Sequence, residues 1–170
     1  MPAGLKQTSS IISIGFELSE TGPNTFTQSQ VDLNLSPLDR EVFVVQAIDL
    51  TLGPCDAIAG TDTAMEGSIT STRQTAVQTL SNSNCLAIAL NQIRAAGFVD
   101  GGVGFSQTAG ESPNTLLDYL GIIATNDFFV QVAGANNLQA HSMSGKIYGY
   151  RAAASADIYA ALVQSEVLSA

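Results

Sequence analysis

The stretch Asn126–Ser155, "NDFFVQVAGANNLQAHSMSGKIYGYRAAAS", decides the fold. Phe128, Phe129, Val130 and Val132 form an apolar run rich in aromatic and β-branched residues, which predicts a strand. Gly134 to Asn137, "GANN", breaks it as a turn. A second strand follows in "SGKIYGYRA", with Tyr148 and Tyr150 on one face and Ile147 on the other. Strand, turn and strand, with almost no charge, is a unit of antiparallel sheet.

Toward the C-terminus the pattern changes. Ser155 is a natural N-cap, and Asp157 falls in the first turn, where the helix dipole favours an acid. Ile158, Tyr159, Leu162, Val163 and Val167 make an apolar stripe, predicting an amphipathic helix over about 155–168.

Toward the N-terminus, "LDYLGIIATNDFFVQVAG" predicts two strands joined at Thr125-Asn126-Asp127, an apolar hairpin with Asp118 and Asp127 near its ends. Residues 97–114 form a Gly-rich loop. The glycines at 101, 102 and 104 make no phosphate loop, because no G-K-[S/T] follows. Residues 84–96 fit two patterns. Asn84 could cap a helix carrying Leu86, Leu90 and Ile93, closed by Gly97. As a strand, Leu86, Ile88 and Leu90 share a side, and the expectation is a strand over 85–90 with a helix-like turn after it. Residues 66–79, rich in Thr, Ser and Val, predict a polar strand, and 53–62 a long loop. Residues 41–52, "EVFVVQAIDLTL", place Val42, Val44, Ile48, Leu50 and Leu52 on one face. Phe43, Val45 and Ala47 make the other face apolar too, so this strand should be covered on both sides. Residues 26–35 put Val31, Leu33 and Leu35 on one face, and 11–18 alternate Ile12, Ile14, Phe16 and Leu18 against Ser13, Gly15 and Glu17.

Seven to nine short strands before one helix, without strand–helix alternation, predict an all-β antiparallel sandwich, jelly roll or small barrel. The expectation is one domain over 1–170, jelly-roll-like, with about eight strands and the C-terminal helix. A chain of 170 residues buries roughly 70% of its unfolded surface and needs no metal or disulfide staple.

Charged residues are 12% of the chain, against a typical ~25%, while apolar residues are 45%. Such a surface is polar but weakly charged, and it opposes self-association less. Fifteen acids against six bases give a net charge of −9. The bases Lys6, Arg40, Arg73, Arg94, Lys146 and Arg151 are scattered, which argues against direct nucleic-acid binding. No apolar run approaches the ~20 residues of a membrane span. The opening "MPAGLKQTSS" lacks the plan of a signal peptide, so folding without translocation is expected. Cys55 and Cys85 are expected as buried free thiols.

The search for chemistry yields little. His141, the only histidine, lies in a polar turn, and nothing like G-x-S-x-G marks a nucleophile. Cys55, Cys85 and His141 lack the paired spacing of zinc ligands. Asp56 and Asp62 share a loop and could offer oxygens to calcium, but acids ending a turn are the simpler reading. Asp118 and Asp127 could act as a glycosidase pair, yet among fifteen acids such a pair arises by chance. No enzyme activity, cofactor or metal is expected.

With "NDFFVQVAGANN", "GKIYGYRA" and the closing "SADIYAALVQSE", the many short strands resemble a small viral structural protein, in particular a single-jelly-roll capsid protein, over the whole chain. The resemblance implies eight strands in two facing sheets, a virion location, and a shell of many copies whose partners are other copies and other virion proteins. One departure is the missing basic arm that would neutralise a packaged genome. It implies a shell whose genome charge is neutralised otherwise, or an outer minor or decorating subunit. The alternatives are a phage tail-tube or other tail subunit, and a non-catalytic carbohydrate-binding module. The last is disfavoured because Trp is absent and aromatics are 6%. The interface candidates are Arg151, where the Tyr-rich strand meets the helix, with Tyr148, Tyr150 and Leu162.

Overall fold

A computed structural model describes residues 1–97, 105–109 and 117–170. Its elements are β1 (Leu5–Gln7), β2 (Ile12–Ser19), β3 (Thr27–Asp32), β4 (Glu41–Leu52), β5 (Thr63–Thr70), β6 (Cys85–Arg94), β7 (Phe105–Ala109), β8 (Gly121–Ile123), β9 (Asp127–Ala135), β10 (Ser142–Ala154) and α1 (Ala156–Leu168). Most of the Gly-rich stretch 97–114, with the glycines at 101, 102 and 104, lies outside the described residues. The part of it that is described is not all loop, since Phe105–Ala109 pairs with β6.

The strands form two antiparallel sheets. In the first, β2 and β1 both pair with one edge of β10, and β4 and β8 follow on the other side. In the second the order is β3, β9, β5, β6, β7. From β2 onward the chain changes sheet at every connection between described strands except β5 to β6 and β6 to β7. A sheet β2–β10–β4–β8 facing a sheet β3–β9–β5–β6, wound in this way, is a jelly roll. Thus β8 and β9 are not the hairpin that the sequence suggested. They are joined by a short turn but lie in opposite sheets.

The layer between the sheets is apolar. Phe43, Val45, Met65, Ile69, Ile123, Phe128, Val132, Met143 and Ile147 are fully buried there. The alternating face of β2 contributes Ile12, Ile14, Phe16 and Leu18, and Phe16 meets Phe128 edge-on across the layer at 5.8 Å.

Strand β4 corrects the sequence reading. Tyr148 pairs with Ala47 and Gly149 with Val45, so Gln46 has no partner and forms a bulge. One extra residue reverses every side chain beyond it. Before the bulge Phe43 and Val45 face the interior, and after it Ile48, Leu50 and Leu52 do. Val42 and Val44 therefore do not share a face with Ile48; they lie in a second cluster under α1. Opposite the bulge, position 149 must be glycine, because a Cβ would strike the Val44 carbonyl and the Phe43 ring.

Other boundaries move for equally local reasons. β3 stops at Asp32, and Asn34, with a φ of 52°, turns the chain while Leu33 and Leu35 stay buried. β6 runs on to Arg94 where a helix-like turn was expected, because Thr63 to Thr70 pairs with it along its length and β7 covers its other edge. The polar strand expected over 66–79 ends at Thr70. From Ser71 to Asn84 the chain becomes a strap across the outer face of the second sheet. The Gln74 and Gln78 amides donate to Gln28 Oε1 at 2.9 Å and Ser68 Oγ at 3.1 Å.

The helix begins as expected: the Ser155 side chain accepts from the Ile158 amide. Ile158, Tyr159, Leu162 and Val163 pack on Leu5, Val42, Val44, Tyr150, Ala152 and Ala154, covering part of the first sheet's outer face. Val167 is 58% exposed instead of completing the stripe, and Glu166 takes the buried position.

Candidate functional site

At one end of the sandwich the loops after β2, β4 and β9 are laced together by polar side chains. Glu20, itself buried, accepts from the amides of Gly134 at 2.6 Å and His141 at 3.0 Å. Asn24 and Asn137 exchange side-chain and backbone hydrogen bonds, both at 2.8 Å. Asn137 also accepts from the Asp56 amide and donates to the Ala64 carbonyl. Asp56 Oδ2 accepts from the Leu138 and Gln139 amides, and its Oδ1 lies 3.1 Å from His141 Nε2. The Leu138 amide, with help from Gln139 and His141, holds the Asp56 carboxyl below its ordinary range.

This cluster contains His141 and Asp56 from the sequence's candidates for catalysis and calcium, and it uses them to fasten loops. Asp62 Oδ1 accepts from the Ala95 and Ala96 amides, so both loop acids bind amides of distant segments instead of ending their own turns. Those amides, with Arg94 nearby, also lower the Asp62 pKa. Among the described residues no group of three or more His, Cys, Asp or Glu side chains converges. Cys55 and Cys85 are free thiols but only half-buried where full burial was expected, and desolvation pushes the Cys85 thiol up. Asp118 is 78% exposed and sits by the N-terminal ammonium. Asp127 lies across the sheet from Asp32 on β3, where burial and that neighbouring acid raise its pKa.

The four interface candidates are not one patch. Arg151 donates from Nη2 to the Leu33 carbonyl at 2.9 Å, within the chain. Tyr150 is buried beneath the helix, and burial raises its phenol pKa. Leu162 is half-buried in the same layer. Tyr148 is half-buried on the uncovered half of the first sheet's outer face, in a shallow groove with Glu17, Asp49, Thr51, Ser144 and Lys146.

Sequence reasoning missed the outward face of α1. Tyr159 and Val163, at the edge of the layer packed on the sheet, line an open apolar groove there with Ala160, Gln164, Val167 and Leu168. The signal was present: α1 carries two charged residues, Asp157 and Glu166, and the second is buried. Glu166 accepts from the Ala124 amide at 2.9 Å and from Thr125 Oγ1 at 2.7 Å. Its own carbonyl accepts from Asn84 Nδ2 at 3.0 Å. Burial raises the pKa of Glu166, although hydrogen bonds from Thr125, Ala124 and Ser71 partly oppose the shift.

No known protein family matches the chain, and no curated protein matches it. Solved structures do match. One is the Merkel cell polyomavirus VP1 unassembled pentamer, with 7% identity and a TM-score of 0.45, covering 86% of this chain and 97% of that one. Another is from Desmodium yellow mottle tymovirus, with 14% identity and a TM-score of 0.32, covering 92% and 95%. The strand order is what defines the class: this chain is an antiparallel jelly roll with a C-terminal helix.

Proposed function

We propose that the chain is a non-catalytic structural subunit of a virion that assembles with copies of itself into a many-copy capsid shell. The observation that carries this reading is a jelly roll whose terminal helix turns an uncharged, apolar face to solvent. Jelly rolls build viral capsids and lectin domains alike, so fold alone decides nothing. The sparse charge adds weight, because a chain with 12% charged residues has few charges to desolvate on association. Three of the six basic residues are engaged within the chain: Arg151 with Leu33, Arg73 over the Phe129 ring, and Arg94 beside Asp62. That leaves little for phosphate, and direct nucleic-acid binding has no place in this reading. Among the described residues no helix is long and apolar enough to cross a membrane.

Light scattering and negative-stain imaging across salt and protein concentration test the proposal. Closed shells are expected, forming more readily as salt screens the repulsion between copies at −9 each. Stacked rings or tubes would favour a tail subunit instead. A monodisperse monomer under every condition would reject a structural role. The groove beside Tyr148 favours the carbohydrate-binding alternative, which a glycan array tests directly.

A further inference from the structure

We propose that the outward face of α1 is a twofold contact between copies of this chain, with the two helices packed antiparallel. The inference rests on the self-assembly reading and names the surface that would carry it. A helix whose apolar residues extend beyond its core-facing stripe has area left to cover. The inner side of α1 lies on the sheet, while Val167 is 58% and Leu168 78% exposed on the other.

The face itself selects the occupant. A membrane surface would call for Lys or Arg along the helix, and α1 has neither. A charged partner would find nothing to pair with, because the six lining residues carry no charge. A second copy, at −9, is repelled across most of its surface, and approach costs least where neither copy bears charge. Tyr159 and Ala160 line it toward the helix N-terminus, and Val167 and Leu168 toward the C-terminus. An antiparallel pair centred on Val163 and Gln164 sets Tyr159 and Ala160 of each copy against Val167 and Leu168 of the other. Gln164, the polar residue in the middle, carries both donor and acceptor, so its amide can pair with its own symmetry mate. Antiparallel helices also oppose their dipoles favourably, and a twofold contact is the commonest closed arrangement of identical chains.

Cysteine cross-linking tests this. Gln164→Cys lies on the proposed axis and is exposed, so it should leave the fold intact by circular dichroism. Under mild oxidation it should give a cross-linked dimer well above two backgrounds. These are the wild-type chain, with its own Cys55 and Cys85, and Ala140→Cys at an exposed loop position. Adding Val167→Asp should weaken association about tenfold or more, because it forces a carboxylate into an apolar contact. If particles form but Gln164→Cys gives no excess of dimer, the helix contact is wrong and the assembly reading survives. If the dimer forms without larger particles, the contact stands and the shell reading falls. If the wild-type chain instead co-sediments with neutral lipid vesicles and Val167→Asp abolishes this, the face belongs to a membrane and the inference is overturned.

Discussion

Both sheets of the sandwich have part of their outer face covered, and the two covers work on different physics. On the first sheet the cover is α1. Ile158, Leu162 and their neighbours lie on Val42, Val44, Tyr150 and Ala152, and dispersion and burial of apolar area hold them. On the second sheet the cover is the strap 71–84, held by hydrogen bonds between side chains. Gln131, with no exposed surface, accepts from Ser68 Oγ at 2.7 Å and donates to Thr70 Oγ1 at 2.6 Å and Gln28 Oε1 at 3.0 Å. Ser68 and Gln28 in turn accept from amides of the strap. An apolar cover tolerates small shifts, because its attraction has no direction. A polar one demands that every partner be present. The comparison teaches that a jelly roll can close one back with oil and the other with amides, and that the amide version is the more brittle.

The largest effect should come from breaking the polar cover at its hub. Gln131→Leu leaves the Ser68, Thr70 and Gln28 groups short of a partner and should destabilise by about 3 kcal/mol, within the range for buried polar groups left unsatisfied. Urea denaturation measures it, and a loss under about 0.5 kcal/mol, the usual surface value, would show that the strap holds by other means. Leu162→Ala attacks the apolar cover and should cost about 2 kcal/mol, the low end for such truncations because the side chain is only half-buried. If it costs more than Gln131→Leu, the ranking of the two covers is reversed. Removing the helix cap with Ser155→Ala should cost about 1 kcal/mol. Thermal unfolding followed at a helix band and a strand band tells whether α1 then frays ahead of the sheets.

The smallest net change, and the one with the clearest sign, concerns Glu166, where the end of α1 meets both Ser71 and Thr125. Burial raises its pKa, so the folded chain binds this proton more tightly than the unfolded chain does. Its contribution is favourable below the ordinary value of 4.5 and is lost as the pH rises through the folded value. Asp56 runs the other way. Its depressed pKa contributes stability above 3.8 that disappears as the pH falls. Glu166→Gln deletes the first slope and keeps the second. The variant's melting temperature, measured from pH 4.5 to 7, should decline less with pH than that of the wild type. An unchanged slope would mean that the carboxylate is charged at no cost.

The candidate site was legible in pieces. His141, Asp56 and Asp62 stood out by type, and nothing in their spacing revealed that loops distant in the chain meet there to be fastened. Gln131 and Glu166 were open to notice. Gln131 is a lone polar residue in the apolar run "FFVQV", Glu166 is the one charge in "LVQSEVL", and a buried polar residue is more informative than any exposed one.

The sequence by itself determined the local elements whose code is short-range. The alternation of Ile12 to Leu18 made β2, the oily run from Glu41 to Leu52 made a strand that is covered on both faces only in its first half, where Val42 to Val45 are buried, and Ser155 started the helix. Side-chain period and capping chemistry are read within a few residues, so they survive without knowledge of partners. Tertiary structure alone decided where Gln46 would bulge, because the bulge answers to Gly149, about a hundred residues away, and to the ring of Phe43. It also decided that β8 and β9 part into opposite sheets, and that Ser71 leaves the ladder to become a strap. A polar segment rich in Ser, Thr and Gln has the same local propensity in either role. What separates them is whether a neighbouring strand or a buried amide offers the better hydrogen bond, and that is settled only when distant parts of the chain meet.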